Sequence, residues 1–246
     1  MLESQRSVSV TGLCELLDVS EMTIRRDLRT LSEDGLIERV HGGATVRYPR
    51  SYEPPYVTRT SANMQLKRAI ACKAARLAPD GCSIAIDVGT TVEELSRQLV
   101  SRSGLTVVTN SLRVATILAE APDIRLIVSG GIVRQQEWSL VGHVALRTFR
   151  DFRVDKAFMG VGGFDLTHGL TEFNLEDALT KQTMMEFAEQ IIVLADSTKL
   201  GNTCFASVAA LKQVDVLVTD WQAPQDYIDA LEAMGIEVIV ADPSDG

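Results

Sequence analysis

The chain has no apolar run near the roughly 18 residues a membrane helix needs, and its opening, Met1 to Ser7, is polar, without the hydrophobic stretch of a signal peptide. Both absences point to the cytoplasm and to no membrane partner. Histidine occurs only at positions 41, 143 and 168, and Cys14, Cys72, Cys82 and Cys204 form no C-x-x-C pair. Neither set has metal-ligand spacing, so no metal site is expected and the thiols are read as buried and free. The run Gly160-Val161-Gly162-Gly163 fails the dinucleotide fingerprint, because Asp165 stands where its last glycine belongs. No cofactor is implied. There is no basic excess either: the formal charge is -9, which excludes a protein that coats nucleic acid through bulk electrostatics.

What is present is 46% hydrophobic residues over 246 positions, enough to bury a substantial core in one larger domain and one small one. Any affinity for DNA must be local. Residues 20–50 carry six arginines against five carboxylates, whereas residues 51–246 carry seventeen basic against twenty-five acidic side chains.

Val10 to Val19 reads as a short helix with Leu13, Leu16 and Leu17 on one face. Ser20 then suits an N-cap, and a second helix follows to about Ser32, with Ile24, Leu28 and Leu31 as its buried stripe. Two short amphipathic helices joined by a tight turn make a helix-turn-helix candidate. At about 100° per residue the opposite face carries Met22, Arg26 and Arg29, with Arg25 between. Such a face fits a major groove, where arginine reaches a guanine edge and an apolar side chain meets a thymine methyl. Ser20 and Thr23 are placed for phosphate oxygens. The alternating run Leu36 to Val46, broken at Gly42-Gly43, reads as a β-hairpin wing bearing Arg39 and His41. The plainer alternative is a solvated basic helix beside a hairpin.

Pro49, Pro54 and Pro55 mark residues 48–62 as a connector between domains 1–47 and 63–246. A helical pattern from Met64 ends at Pro79-Asp80-Gly81. Beyond it, strands near 82–87, 105–109, 124–129, 155–160, 191–195, 214–218 and 236–240 alternate with helices near 91–99, 111–120, 143–150, 174–188, 206–212 and 224–234. That alternation predicts an α/β domain with a mostly parallel sheet covered on both faces.

Ligands of such sheets bind at the carboxyl ends of the strands, where this chain is polar and small. Gly89, Thr90 and Thr91 offer backbone N–H groups and hydroxyls at a helix start, chemistry suited to a phosphate. Asn110 and Ser111 add donors, Gly131, Arg134 and Gly162 follow further strands, and Asp196 and Lys199 close the series. Asp87 and Glu172 suit sugar hydroxyls. Each has a plainer reading: Thr90, Thr91 and Asn110 as helix caps, Gly160 to Gly163 as a tight turn, Lys199 as a surface lysine. Lys181 is expected to pair with Asp177 on an exposed helix face, and Trp138 and Trp221 to belong to the core.

The block Ser20 to Leu31, then Gly35-Leu36-Ile37, then Arg39 to Ala44, closely resembles the winged-helix reader of the DeoR family of bacterial regulators. The resemblance extends through Asp87-x-Gly89-Thr90-Thr91, Thr109-Asn110-Ser111, Gly130-Gly131, Gly169-Leu170-Thr171, Glu176 with Lys181, and Asp196-x-x-Lys199. It implies a winged helix-turn-helix followed by a Rossmann-like sensor domain similar to ribose-5-phosphate isomerase. It also implies a repressor of a carbohydrate operon, binding double-stranded operator DNA as a homo-oligomer, dimer or tetramer, and released by a phosphorylated sugar. The family's reader normally opens with a further helix, most of which is missing here, so weak or absent operator binding is expected of this chain. The alternative is a sugar-phosphate isomerase or deaminase using Asp155, Glu172 or Glu176 as acid and base; the reader is what such an enzyme has no need of.

Overall fold

The structure, a computed structural model, describes residues 7–33, 37–40, 43–45 and 49–245, and divides into two compact units, Met1–Tyr52 and Glu53–Gly246. In the first unit, β1 (Ser7–Ser9) leads into α1 (Val10–Leu17), whose start is capped by the Ser9 hydroxyl accepting from the Gly12 N–H at 3.0 Å. Helix α2 (Glu21–Glu33) begins with the predicted cap, the Thr23 N–H donating to Ser20 Oγ at 3.3 Å. Strands β2 (Glu38–Val40) and β3 (Gly43–Thr45) pair antiparallel, and β1 adds to the far edge of β3, a third strand that the sequence pattern had not indicated. Val10, Leu13, Ile24, Leu28, Ile37 and Ala44 form the small core, with Cys14 and Leu31 packed against it. Leu16 and Leu17 are exposed, so of the apolar face expected on α1 only Leu13 is covered among the described residues.

The second unit opens with α3 (Tyr56–Ser61) and α4 (Met64–Ala75). The connector expected at 48–62 therefore contains a helix. Pro54 and Pro55 do not prevent it, because a proline just ahead of a first helical turn removes no intrahelical donor.

Seven parallel strands follow: β4 (Ser83–Ile86), β5 (Thr106–Thr109), β6 (Arg125–Val128), β9 (Val154–Met159), β12 (Ala188–Leu194), β14 (Val216–Asp220) and β15 (Glu237–Ala241). Their order across the sheet is β15-β14-β12-β9-β4-β5-β6. Each lies within three residues of its expected bounds. Alternation along the strands feeds two cores. Ile84, Ile86, Val107, Phe158, Ile192 and Val218 pack against α4, α5 (Thr90–Leu99) and α6 (Leu112–Leu118). On the other face Ala85, Val108, Ala157, Met159, Val193 and Leu217 meet α7 (His143–Arg150), α8 (Leu175–Glu186) and α9 (Gln225–Ala233).

Two small antiparallel sheets escaped the sequence reading: the hairpin β7 (Ile132–Arg134) with β8 (Ser139–Val141), and β10 (Gly163–Asp165), β11 (Gly169–Glu172) and β13 (Ala206–Ala209). The last corrects the helix expected at 206–212. Ala206 and Val208 are buried while Ser207 is exposed, a two-residue period that places the segment on β11 and overrides the helix propensity of its alanines.

Candidate functional site

In the first unit Ile24 and Leu28 are each 4% exposed, and this fixes which side of α2 faces outward. Met22 is 81% exposed, the Arg26 side chain 78%, and Arg29 is exposed as well. Arg25 is exposed but leans on Glu21 at 2.8 Å, an i, i+4 pair. Ser20 and Thr23 hydroxyls lie 3.0 Å apart. Arg39 sits on β2 opposite Ala44; His41 lies outside the described residues.

In the second unit the register puts Asp87, Asn110 and Ser129 in one row. Ile86 pairs Thr109 and Thr109 pairs Val128, so these three residues each stand one step beyond a paired position on three adjacent strands. All three are buried, and Asp87 Oδ1, Asn110 Oδ1 and Ser129 Oγ have no hydrogen-bond partner among the described residues. Buried polar atoms are nearly always paired, so three in a row at strand ends mark a place built for hydrogen bonding. Beside the row, Gly89 takes φ +124 ahead of α5, a conformation open to glycine, with nothing within 4 Å of where a Cβ would stand. Thr90 is half-buried and Thr91 buried.

Asp87 also anchors an ion cluster. Its Oδ2 accepts from Lys181 Nζ and, at 3.1 Å, from the Gly160 N–H; Lys181 also donates to the Gly160 carbonyl and lies 3.3 Å from Glu172. Lys181 is 1% exposed, which corrects the expected surface pair with Asp177. Burial pushes the Asp87 carboxyl up to about 6 against the pull of Lys181. Burial works against the Lys181 ammonium too, yet the carboxylates of Asp87 and Glu172 hold it above the usual lysine range.

Arg134 meets Glu53 at 2.7 Å and pairs with Asp177; Arg59 of α3 meets the same Glu53 at 3.2 Å and pairs with Glu137. Burial raises Glu137 to about 7, opposed by Arg59. Tyr56 donates to Glu93 at 2.6 Å, and Arg113 stacks 3.4 Å above the Tyr56 ring and 4.7 Å from that of Trp138. Trp138 is 48% exposed, against the core position expected of it. These residues carry no short-range sequence signal, because their partners lie far apart in the chain.

The other expected residues divide by role. The Ser111 hydroxyl caps α6, accepting from the Val114 N–H at 3.1 Å. Gly131 takes φ +133, and a Cβ there would stand 2.5 Å from the Val141 carbonyl, so close backbone approach requires this glycine. Gly162 is packed under Glu172 and Cys204. Asp196 accepts from the Thr198 N–H at 3.1 Å, and Lys199 lies 5.9 Å from the centre of the Phe173 ring. Asp155, a candidate acid or base, accepts from Ser83 N–H and Oγ at 2.7 and 2.8 Å where β4 and β9 begin. That is the end of the sheet opposite Asp87, so it cannot act with Glu172. Cys14, Cys72 and Cys82 are half-buried free thiols, and Cys204 is buried.

Comparison with known proteins gives the context. Residues 1–49 match the DeoR-like helix-turn-helix domain and residues 62–221 the DeoR C terminal sensor domain. The transcriptional repressor CsqR of Escherichia coli K12 is 37% identical over 241 residues, covering 98% of this chain and 92% of that protein. The glycerol-3-phosphate regulon repressor of the same organism is 33% identical over 231 residues (94% and 91%), and the repressor GlcR of Bacillus subtilis 168 is 34% identical over 245 (100% and 94%). A ribose 5-phosphate isomerase A from Methanocaldococcus jannaschii superposes with a TM-score of 0.44 and 21% identity, over 56% of this chain and 55% of its own. No helix among the described residues is long and apolar enough to cross a membrane. With both its N-terminal and its sensor segment matched, the chain belongs to the DeoR family of DNA-binding transcriptional regulators.

Proposed function

We propose that this regulator is a cytoplasmic repressor of a carbohydrate operon whose grip on double-stranded operator DNA is relieved when a phosphorylated sugar or related metabolite enters the crevice at the carboxyl ends of the sheet. The row of unpartnered atoms on Asp87, Asn110 and Ser129 beside the Gly89-Thr90-Thr91 turn carries the effector half of this reading. The turn offers amides and hydroxyls to the phosphate, Lys199 offers charge, and Asp87 Oδ1 and Glu172 accept from sugar hydroxyls. Arg134, Gly131, Gly162, Ser111 and Asp196 shape the crevice by holding its loops. The reader uses Ser20, Met22, Thr23, Arg25, Arg26 and Arg29, with Arg39 and His41 on the wing; the exposure of Met22, Arg26 and Arg29 opposite a buried stripe supports it. Relatives named as repressors, one of them of a glycerol-3-phosphate regulon, support repression and a phosphorylated ligand.

Assembly as a homo-oligomer, dimer or tetramer, suits paired half-sites. The exposed apolar side chains Leu175, Leu179 and Phe205 of the second unit are in keeping with a subunit interface.

The test is a thermal-shift screen against phosphorylated sugars and polyols. A ligand at a hundred times its dissociation constant adds about 2.7 kcal/mol of stability. Each stabilising compound is then assayed for release of an operator selected from random duplexes. Stabilisation without release breaks the link between crevice and reader. Turnover of a sugar phosphate by the pure protein favours the isomerase reading.

A further inference from the structure

Charge is unevenly spread over the second unit. Residues 53–212 carry seventeen basic and seventeen acidic side chains, whereas residues 213–246 carry eight carboxylates and nothing basic. Three of the eight, Asp226, Asp229 and Glu232, are exposed along α9, whose Ile228 and Leu231 hold it to the sheet. Helix α7 is the converse: Ala145 and Phe149 form its buried side, while Arg147 and Arg150, three apart, are exposed. Neither arginine meets a carboxylate, and none of the three α9 carboxylates meets a cation, among the described residues. Both helices cover the same face of the sheet, near opposite edges. Val144 of α7 packs over Gly130, just past the edge strand β6, and α9 lies on the other edge strand, β15. Between them come α8, on which α7 packs, and the small β10-β11-β13 sheet. Gln182 of α8 donates to the Ser207 carbonyl of β13 at 3.1 Å, and Tyr227 of α9 donates to the Phe164 carbonyl of β10 at 2.7 Å. The middle of this face is apolar, with Leu175 57%, Leu179 42% and Phe205 64% exposed.

We propose that this face docks a second copy of the chain about a two-fold axis near α8, the α7 arginines of each copy meeting the α9 carboxylates of the other around Leu175, Leu179 and Phe205. A surface with opposite charges at its two margins and an apolar centre is complementary to its own image turned by 180°. Nucleic acid does not suit it, because the apolar centre and the acidic margin offer a phosphate backbone nothing. The docking rests on the homo-oligomer reading above, and adds to its apolar patch the partner's face and the charges that align it. Helix α8 turns Asp177 and Lys181 inward and Leu175 and Leu179 outward. The helix that completes the Asp87 cluster is therefore also the helix at the axis.

The experiment measures the mass of the full chain in solution by sedimentation equilibrium, without DNA. One variant carries Arg147→Glu and Arg150→Glu, the other Asp226→Lys and Asp229→Lys. All four side chains are exposed, so both variants should keep the wild-type thermal midpoint. Each variant alone sets like charges against each other, which should weaken this association by at least roughly a hundredfold and halve the mass. Mixed in equal amounts, the two restore opposite charges at both margins and should regain the wild-type mass as a one-to-one assembly. Phe205→Glu, at the apolar centre, should also halve the mass, and it decides the matter if a reversal variant fails to fold. Association unchanged in these variants, or lost in both reversals and not recovered on mixing, overturns this face and leaves the chain an oligomer by another. A wild type that stays monomeric at micromolar concentration overturns the homo-oligomer reading as well.

Discussion

Replacing Lys181 by methionine isolates the cost of the buried ion cluster. The change keeps most of the side chain's volume but leaves Asp87, which is fully buried, without its counter-charge. Removing one partner of a buried pair costs about 3–5 kcal/mol, a large share of the roughly 5–15 kcal/mol that holds a domain folded. For a unit of this size that is a fall in Tm of roughly 6–20 °C. The dependence on pH has a definite sign. In the wild type the folded Asp87 carboxyl, at about 6, lies above its ordinary value of 3.8, so folding takes up a proton between these values. Stability from that group is therefore full below pH 4 and lost as pH rises through 6, by about 3 kcal/mol in all. Without Lys181 the folded value climbs further, which extends the loss above pH 6. Below pH 5 the carboxyl is neutral in both proteins, and the deficit of the variant must narrow there. The Lys181 ammonium, raised in the folded state, contributes stability that persists until pH exceeds 10.5. Urea denaturation of the wild type, Lys181→Met, Asp87→Asn and the double variant between pH 4 and 8 measures the Asp87 part of this dependence. The double variant should recover more than half of the loss, since it leaves no orphan charge. A single variant within 1 kcal/mol of wild type at pH 7.5, or a deficit that does not vary with pH, would refute the reasoning.

Arg26→Ala should lower operator affinity by about 1–3 kcal/mol with little change in the thermal midpoint, because the side chain is 78% exposed; a large fall in the midpoint means it is structural. Thr91→Ala or Lys199→Ala should raise the effector concentration needed to release operator by roughly tenfold, and release at the wild-type concentration means the crevice is misassigned. Gly131→Ala must adopt φ +133 with its Cβ against the Val141 carbonyl, so a loss of about 1–3 kcal/mol is expected in urea melts, and a neutral result would contradict the tight approach of the β7–β8 hairpin.

Elements with a strong period were legible in the sequence. The stripe Ile24, Leu28, Leu31 located α2, and short β-branched runs located all seven parallel strands. Strand ends followed from the fold class alone, which is why Asp87, Gly89, Thr91 and Asn110 were singled out. The β10-β11-β13 sheet was hidden because its strands have three or four residues and contain glycine and alanine, whose local preferences point elsewhere. The charge pairing was hidden for another reason. Lys181 and Asp177 are four apart on one helix, yet their partners, Asp87 and Arg134, come from distant strands. Helical spacing says which residues are neighbours, and only burial decides which of them needs a charge. Lys67 is buried and shares this property: nothing in Met64 to Ala75 distinguishes it from the exposed Arg68 beside it.

Helix α3, the first element of the second unit, buries no residue fully, and its Val57 is 78% exposed. It is fastened at its flanks by Glu53, Tyr56, Arg59 and the Lys67 ammonium, through charge and hydrogen bonds. Lifting it would open no void in either apolar layer; only the polar fasteners would have to be rehydrated. An attachment of this kind can be undone and remade while the sheet stays intact, whereas α4, α5 and α8, which bury apolar side chains in the two layers, could not leave it without opening a void.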